Sequence, residues 1–98
     1  PVIDLVAGTP KQEWIGPVHD VVRKALARKP NILFLVQALA PPGADDAATR
    51  DKLSHLVGVE GQAIADEIVA AGAAPNQVEM SAMPDSTVTE PRIRVYVR

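Results

Sequence analysis

The sequence contains two imidazoles, His19 and His55, each of which could act as a base or bind a metal ion. His19 precedes Asp20, and His55 follows Ser54. Neighbouring residues on a helix point about 100° apart, so neither pair places a base against a nucleophile. The two histidines fall on different predicted helices, and neither has a second ligand at metal-binding spacing. We therefore expect both to be exposed polar helix positions, and we predict neither an enzyme nor a metal site.

Motifs for cofactor binding are also missing from the sequence. The chain contains no cysteine, which removes disulfides, thiolate metal sites and thiol nucleophiles together. Its six glycines follow neither the dinucleotide-binding nor the P-loop spacing. Asp45, Asp46 and Asp51 do not follow the EF-hand pattern, and the first two are placed where acids favour the start of a helix. We predict no cofactor.

The charge balance argues against nucleic acid as a partner. Twelve acidic and ten basic residues leave a net charge of −2, whereas a nucleic-acid domain usually has a basic excess. The basic residues nevertheless form two local groups, which we name the helix cluster (Arg23, Lys24, Arg28, Lys29) and the strand cluster (Arg92, Arg94, Arg98). The simpler interpretation is that both are solvated faces, and the alternative is a contact patch for an anionic partner.

Length and composition indicate one globular domain over residues 1–98. Apolar residues make up 47% of the chain and charged residues 22%, close to the globular average. The longest run of large apolar residues, Ile32–Val36, is far shorter than a membrane span requires, so we predict no span within this chain. The sequence begins with proline, and we expect any signal or anchor to lie upstream of it.

Hydrophobic spacing predicts alternating strands and helices. Thr9 and Gln12 have capping-box spacing, and Pro10 suits a first helical position, although Gly16-Pro17 could kink that helix or delay its start. The predicted order is a strand over Val2–Ala7, a helix to Arg28, a buried strand over Asn31–Leu39, a helix over Asp45–Ala71, a half-buried strand over 78–83 and a last strand over 92–98.

The long second helix has one continuous apolar face, and its glycines need a reason. Gly61 lies on that face, which predicts a close approach to the sheet, whereas nothing in the pattern explains Gly58. Each helix has a single apolar stripe. We therefore predict a two-layer α/β sandwich of order βαβαββ, with a mixed four-stranded sheet and both helices on one face.

This pattern resembles the OmpA-like C-terminal domain, the periplasmic module with which envelope proteins of Gram-negative bacteria hold peptidoglycan. The resemblance covers nearly the whole chain. The matching parts are the buried strand Ile32–Ala38, the loop Leu39–Gly43, the long helix with Ile64, Ile68 and Gly72, the segment Ala73–Val78, and the charged strand Arg92–Arg98. The resemblance implies an OmpA-like fold and a place in the cell envelope.

The resemblance also implies a ligand pair that this sequence lacks. In the family, an aspartate after the second strand and an arginine on the long helix hold the diaminopimelate of the peptide stem. The aspartate position falls at Ala40. The arginine position falls at Glu60 when the match is anchored on Gly72, or at Val57 when it is anchored on Leu53-Ser54. Since a fork of guanidinium donors reads a carboxylate and Glu60 reverses the charge, we do not expect the usual mode of peptidoglycan binding.

The function expected from these observations is that of a non-catalytic periplasmic module acting by contact with other envelope proteins. It would be tethered upstream or built into a larger assembly, such as a secretion or conjugation machine. The candidate contact patch is the strand cluster at the edge of the last strand, unless its arginines pair with Glu79. The alternatives are a peptidoglycan anchor that uses other groups, such as backbone donors near Gly43, and a small hydrolase that uses Ser54 or His55.

Overall fold

The computed structural model describes all 98 residues. Three helices and four strands form its two layers, and the second and third helices are joined by a π-helical segment, Val57–Gly61. The elements in chain order are β1 (Ile3–Val6), α1 (Lys11–Arg28), β2 (Phe34–Ala40), α2 (Asp46–Leu56), α3 (Gln62–Ala70), β3 (Val78–Pro84) and β4 (Arg92–Val97).

The four strands form one mixed sheet in the order β1-β4-β2-β3. Strand β4 is antiparallel to both β1 and β2, and β3 is parallel to β2. This arrangement confirms the predicted fold class. It corrects the predicted position of the last strand, because β4 is bonded on both sides and the edges of the sheet are β1 and β3. Being last in the chain does not place a strand at an edge, since β4 inserts between two strands formed earlier in the sequence.

The core lies between the helices and one face of the sheet. Alternate residues of β2 and β4 point into it, because successive side chains of a strand point to opposite faces. Its fully buried large side chains are Val18, Val22, Phe34, Val36, Ile68, Ile93 and Val95. None of the helices is long and apolar enough to cross a bilayer.

The first helix starts differently from the capping-box prediction. Pro10 is the N-cap and no side chain caps the helix, while the Thr9 hydroxyl donates to the Val6 carbonyl over 2.6 Å. The hydroxyl is taken up by the turn after β1 and is not directed at the helix. Pro17 lies inside α1, which shows that the helix does not wait until Pro17 to begin.

The long second helix forms as predicted but contains an irregular stretch. The Asp45 side chain accepts a hydrogen bond from the Ala48 amide over 2.7 Å and so caps α2. At Gly61 an added Cβ would lie 3.3 Å from Val57 Cγ2, so the close neighbour is the helix itself and not the sheet. Beyond its chain neighbours and the adjacent helix backbone, no atom lies within 4 Å of the Cβ position of Gly58, and packing does not explain that glycine. Both glycines lie in the π-helical segment.

Strand β3 is more exposed than the half-buried pattern predicts. Val78, Met80 and Ala82 pair in register with the core residues of β2 and so face the helices. Even so, Met80 is 43% exposed, and Ala82 is exposed as well. The reason is the edge position of β3, which has a neighbouring strand on one side only.

Candidate functional site

Strands β1, β2 and β3 run in the same direction, so their carboxyl ends meet at one end of the sheet. Three loops lie at this end, over residues 7–10, 41–45 and 85–91. The positions that match the family's ligand pair belong to elements that reach the same end. It is therefore the first place where a binding site is to be sought.

Ala40 is the last residue of β2 and is completely buried. Its carbonyl accepts a hydrogen bond from the Asp85 amide over 2.9 Å, which ties the loop after β3 to the end of β2. The side chain is a methyl group inside the hydrophobic core. This position therefore offers no acceptor for an ammonium group of a ligand.

Glu60 lies in the π-helical segment and its carboxylate faces the loop after β1. Its Oε1 accepts a hydrogen bond from the backbone amide of Gly8, a residue with a φ of +87°. Val57, the alternative match to the family's arginine, is partly buried against the core. The π-helical segment lies between the two anchors, Leu53-Ser54 and Gly72, whose registers differ by three residues. A helical irregularity thus stands where the two matches to the family diverge.

Two cavities flank Glu60 at this end of the sheet. The first, of about 200 Å³, is mainly apolar and includes Leu5, Trp14 and Ile64, with Lys11 and Glu60 as its charged residues. The second, of about 370 Å³, includes Lys52 and His55 beside Glu60. Neither cavity is lined by an arginine, and Glu60 is the carboxylate of both. The bidentate clamp that reads a ligand carboxylate is therefore missing here.

Two backbone donors near the start of α2 are engaged within the chain. The Gly43 amide donates to Thr49 Oγ1 over 2.7 Å, and the Thr49 hydroxyl donates to the Asp45 carbonyl over 2.9 Å. The Ala48 amide is bound by the Asp45 side chain. These contacts stabilise the turn into α2. They also engage the amides of Gly43 and Ala48, two of the donors that an alternative cell-wall contact near Gly43 could use.

His19 is not the exposed position expected from the sequence. Its Nε2 lies 2.8 Å from Glu67 Oε1, and Lys11 Nζ lies 2.9 Å from Glu67 Oε2, which joins α1 to α3. The hydrogen bonds from His19 and from Lys11 lower the pKa of Glu67 below its usual value, against the effect of desolvation. His55 is exposed, as expected. No three His, Cys, Asp or Glu side chains lie close enough together to hold a metal ion.

The strand cluster lies on the sheet face opposite the helices, and each of its arginines has a carboxylate partner. Arg92 Nε is 2.9 Å from Asp4 Oδ1, and Arg94 Nε is 3.4 Å from Asp4 Oδ2. Arg98 Nη2 is 3.1 Å from Glu79 Oε2. The expected pairing with Glu79 is thus found for Arg98, while Asp4 on the neighbouring strand serves the other two.

Asp4 is a residue that sequence reasoning missed. Desolvation raises its pKa, but the hydrogen bond and charge of Arg92 and the charge of Arg94 outweigh this, so the pKa of Asp4 is lowered. Asp4 and Arg92 are 88 residues apart in the chain. Only the pairing of β1 with β4, which places Asp4 opposite Arg94, brings them together. No motif in the sequence signals this contact.

Comparison with solved structures finds the same fold in two bacterial proteins. The chain superposes on the OmpA-like domain of FopA1 from Francisella tularensis subsp. tularensis SCHU S4 with a TM-score of 0.69 and 12% identity, covering 96% of this chain and 70% of that one. It superposes on the C-terminal domain of Helicobacter pylori MotB with a TM-score of 0.67 and 11% identity, covering 100% and 85%. The fold is therefore OmpA-like.

The likeness is one of structure and not of sequence. No family model matches the chain, and no curated protein matches it. The shared fold rests on how strands and helices pack, which many sequences satisfy.

Proposed function

We propose that this chain is a non-catalytic domain of the bacterial cell envelope that acts by contact with other proteins. In this proposal it does not hold diaminopimelate through the family's pair of residues. The OmpA-like fold supports an envelope role, and the resemblance seen in the sequence suggests the periplasm as the compartment.

The state of Glu60 is the observation that carries this proposal. In one register Glu60 stands at the family's arginine position, and its carboxylate is bound by the Gly8 amide. A ligand carboxylate brought to this place would meet a like charge and no guanidinium. A charge-assisted hydrogen bond is worth about 1.5–3 kcal/mol, and this site replaces that gain with repulsion. Ala40 removes the second half of the pair, because a buried methyl group accepts nothing.

The contacts of the two histidines agree with a binding role. The imidazole of His19 is hydrogen-bonded to the Glu67 carboxylate, and this contact joins α1 to α3. His55 lies beside Lys52 and Glu60, with no nucleophile placed against its ring. Neither histidine therefore has the geometry of a base that activates a nucleophile.

Cosedimentation with peptidoglycan sacculi tests the proposal. The purified chain is mixed with sacculi with and without free diaminopimelate, beside an OmpA-like domain that has both family residues as the positive control. We expect the chain to stay in the supernatant while the control sediments. Sedimentation of the chain that free diaminopimelate abolishes would overturn the proposal.

A second outcome of the same experiment concerns the alternative function. Sedimentation that diaminopimelate does not change would favour a peptidoglycan anchor with non-standard contacts. The engaged amides of Gly43 and Ala48 do not favour this outcome, since a glycan that used either of them would have to displace a bond within the chain. The contact patch at the strand cluster stays a prediction. Its arginines are already paired within the chain, which favours a different basic surface for a partner.

A further inference from the structure

The largest cavity of the molecule, about 670 Å³, is a groove at the other end of the sheet from Glu60. It runs between the last turns of α1 and the neighbouring strand ends, where β1 begins and β4 ends. Apolar side chains dominate its lining, and the charged residues among them are Lys24 and Arg28. The apolar residues are Val2, Val21, Ala25, Ala27, Ile32 and Val97.

The spacing of α1 explains how one groove has both an apolar floor and a basic rim. Four of the lining residues follow one another at intervals of three, one and three residues, which places them on one face of the helix. They are Val21, Lys24, Ala25 and Arg28. Ala25 packs against the core below, while the two basic side chains are exposed above it. Their aliphatic stems extend the apolar surface and their charged ends mark its border.

The charge of the groove is positive in a chain whose net charge is negative. No carboxylate is among the eight lining residues. Lys24 pairs with Asp20 over 2.9 Å, but both side chains are largely exposed and such pairs contribute little. Arg28 has no carboxylate partner in the structure, unlike all three arginines of the strand cluster. The surface thus offers a guanidinium whose bidentate donors are free.

We propose that this groove binds an acidic segment of another protein, which inserts an apolar side chain into the floor and places a carboxylate on Arg28. This inference rests on the proposed function, because it names the class of partner for a domain that acts by protein contact. The concave shape favours a peptide over an anionic membrane. A protruding side chain can fill a groove, whereas a flat bilayer surface would leave its floor empty.

An NMR titration of the isotope-labelled chain tests the inference directly. The probe is a blocked model peptide, Gly-Ser-Glu-Leu-Glu-Leu-Glu-Ser-Gly, and its counterpart has lysine in place of each glutamate. Phosphatidylglycerol vesicles form the third arm. We expect saturable shifts of the Ala25, Arg28 and Val97 amides with the acidic peptide and none with the basic peptide.

Three charge-reversal variants sharpen this test. Arg28→Glu should weaken binding of the acidic peptide by about tenfold, which corresponds to ~1.4 kcal/mol. Arg23→Glu is the matched control, because Arg23 lies on the same helix without a carboxylate partner and does not line the groove. Lys29→Glu controls for the helix dipole, since Lys29 is the C-cap of α1 and also lies outside the lining. Both controls should bind the peptide within about twofold of the parent chain, and thermal melts check that all three variants fold.

Four results would overturn the inference. They are no shift at millimolar peptide, equal binding of the basic peptide, equal weakening by Arg23→Glu and Arg28→Glu, and shifts of these amides with vesicles in place of the peptide. The sacculus experiment probes the opposite end of the sheet, so the two tests fail separately. Sedimentation abolished by diaminopimelate would overturn the proposed function even if the groove bound the peptide.

Discussion

The strand cluster and the helix cluster have similar charge in the sequence but opposite situations in the structure. Every arginine of the strand cluster lies within ion-pair distance of a carboxylate from another part of the sheet or its loops. In the helix cluster only Lys24 lies within ion-pair distance of a carboxylate. That carboxylate belongs to Asp20, one turn earlier on the same helix. The first cluster stabilises the chain itself, whereas the second is available to other molecules.

The difference comes from what surrounds each element. A central strand has neighbours on both sides, and side chains directly opposite on adjacent strands lie close together. Asp4 is placed opposite Arg94 by the register of β1 with β4, so it meets two arginines at once. The end of a surface helix has no such neighbour. Its basic side chains find acids only on the same helix or on another molecule.

Removing Asp4, the carboxylate shared by two arginines of the strand cluster, should have the largest effect on the free energy of unfolding. Asp4→Ala leaves Arg92 and Arg94 side by side on one face of β4 without their shared counter-charge, and Arg92 keeps only Glu90, at 3.7 Å. The Asp4 side chain is 36% exposed, so solvent weakens these pairs, and we expect a loss of about 1–2 kcal/mol in the free energy of unfolding. Urea unfolding followed by circular dichroism measures it. A loss below that of Glu79→Ala would contradict the role given to Asp4.

Acid should weaken the ion pairs of Asp4 and Glu67 less than truncation would, because a protonated carboxyl can still form a neutral hydrogen bond. The pKa values of Asp4 and Glu67 are both lowered in the folded chain from usual values of 3.8 and 4.5. Such groups stabilise the fold fully above their unfolded pKa, and this contribution is lost as pH falls through the folded pKa. Stability should therefore decline below about pH 4.5.

A double variant makes this pH dependence testable. Asp4→Asn with Glu67→Gln removes both titrating groups while keeping side chains of the same shape. Urea unfolding from neutral pH down to the acid limit should show a flatter profile for the double variant than for the parent chain. Profiles of identical slope would mean that other carboxyl groups carry the acid sensitivity.

Glu79→Ala removes the partner of Arg98, the last arginine of the strand cluster, and should reduce the free energy of unfolding by less than Asp4→Ala. Glu79 is 51% exposed and its partner Arg98 is 65% exposed, so water competes strongly for both groups. We expect a change of about 0.2–1 kcal/mol in the free energy of unfolding, measured by the same urea assay. Added salt should reduce it further, since exposed pairs are screened. A larger loss than that of Asp4→Ala would reverse the comparison within the cluster.

Truncation in the helix cluster should change stability least of all. Arg28→Ala removes no ion pair, and we expect the free energy of unfolding to stay within about 0.5 kcal/mol of the parent value. Arg23→Ala is the matched variant on the other side of the helix and should behave in the same way. A loss near that of Asp4→Ala would show that Arg28 serves the fold, and the groove would then have no free guanidinium to offer.

Sequence reasoning predicted the types and order of the elements because hydrophobic spacing is a local signal. The period of α1 and the apolar run of β2 identify these elements without any tertiary information. The same reasoning placed β4 at an edge and expected β3 to be half-buried. Both were wrong because strand order depends on which strands pair across the sheet, and the alternation within a strand does not encode it.

For the candidate site too, some features could be predicted from the sequence and others depend on the tertiary structure. The lack of an aspartate at position 40 and of an arginine at positions 57 and 60 could be read from the sequence, given the resemblance. The contact of Glu60 with the Gly8 amide could not, since 52 residues separate them and a π-helical segment sets where the carboxylate lies. The sequence likewise predicts a solvated His19, because the contact of its ring with Glu67 depends on the packing of α3 against α1.

By itself, the amino-acid sequence determined the types and order of the elements and the balance of charge, because each follows from residue type and short-range spacing. Only the tertiary structure decided which charges are neutralised within the chain. Asp4 reaches Arg92 through strand pairing, and no such pairing brings a carboxylate to Arg28. Water and salt screen charges at the surface, so their attraction is appreciable only at short distances in space, which folding alone establishes.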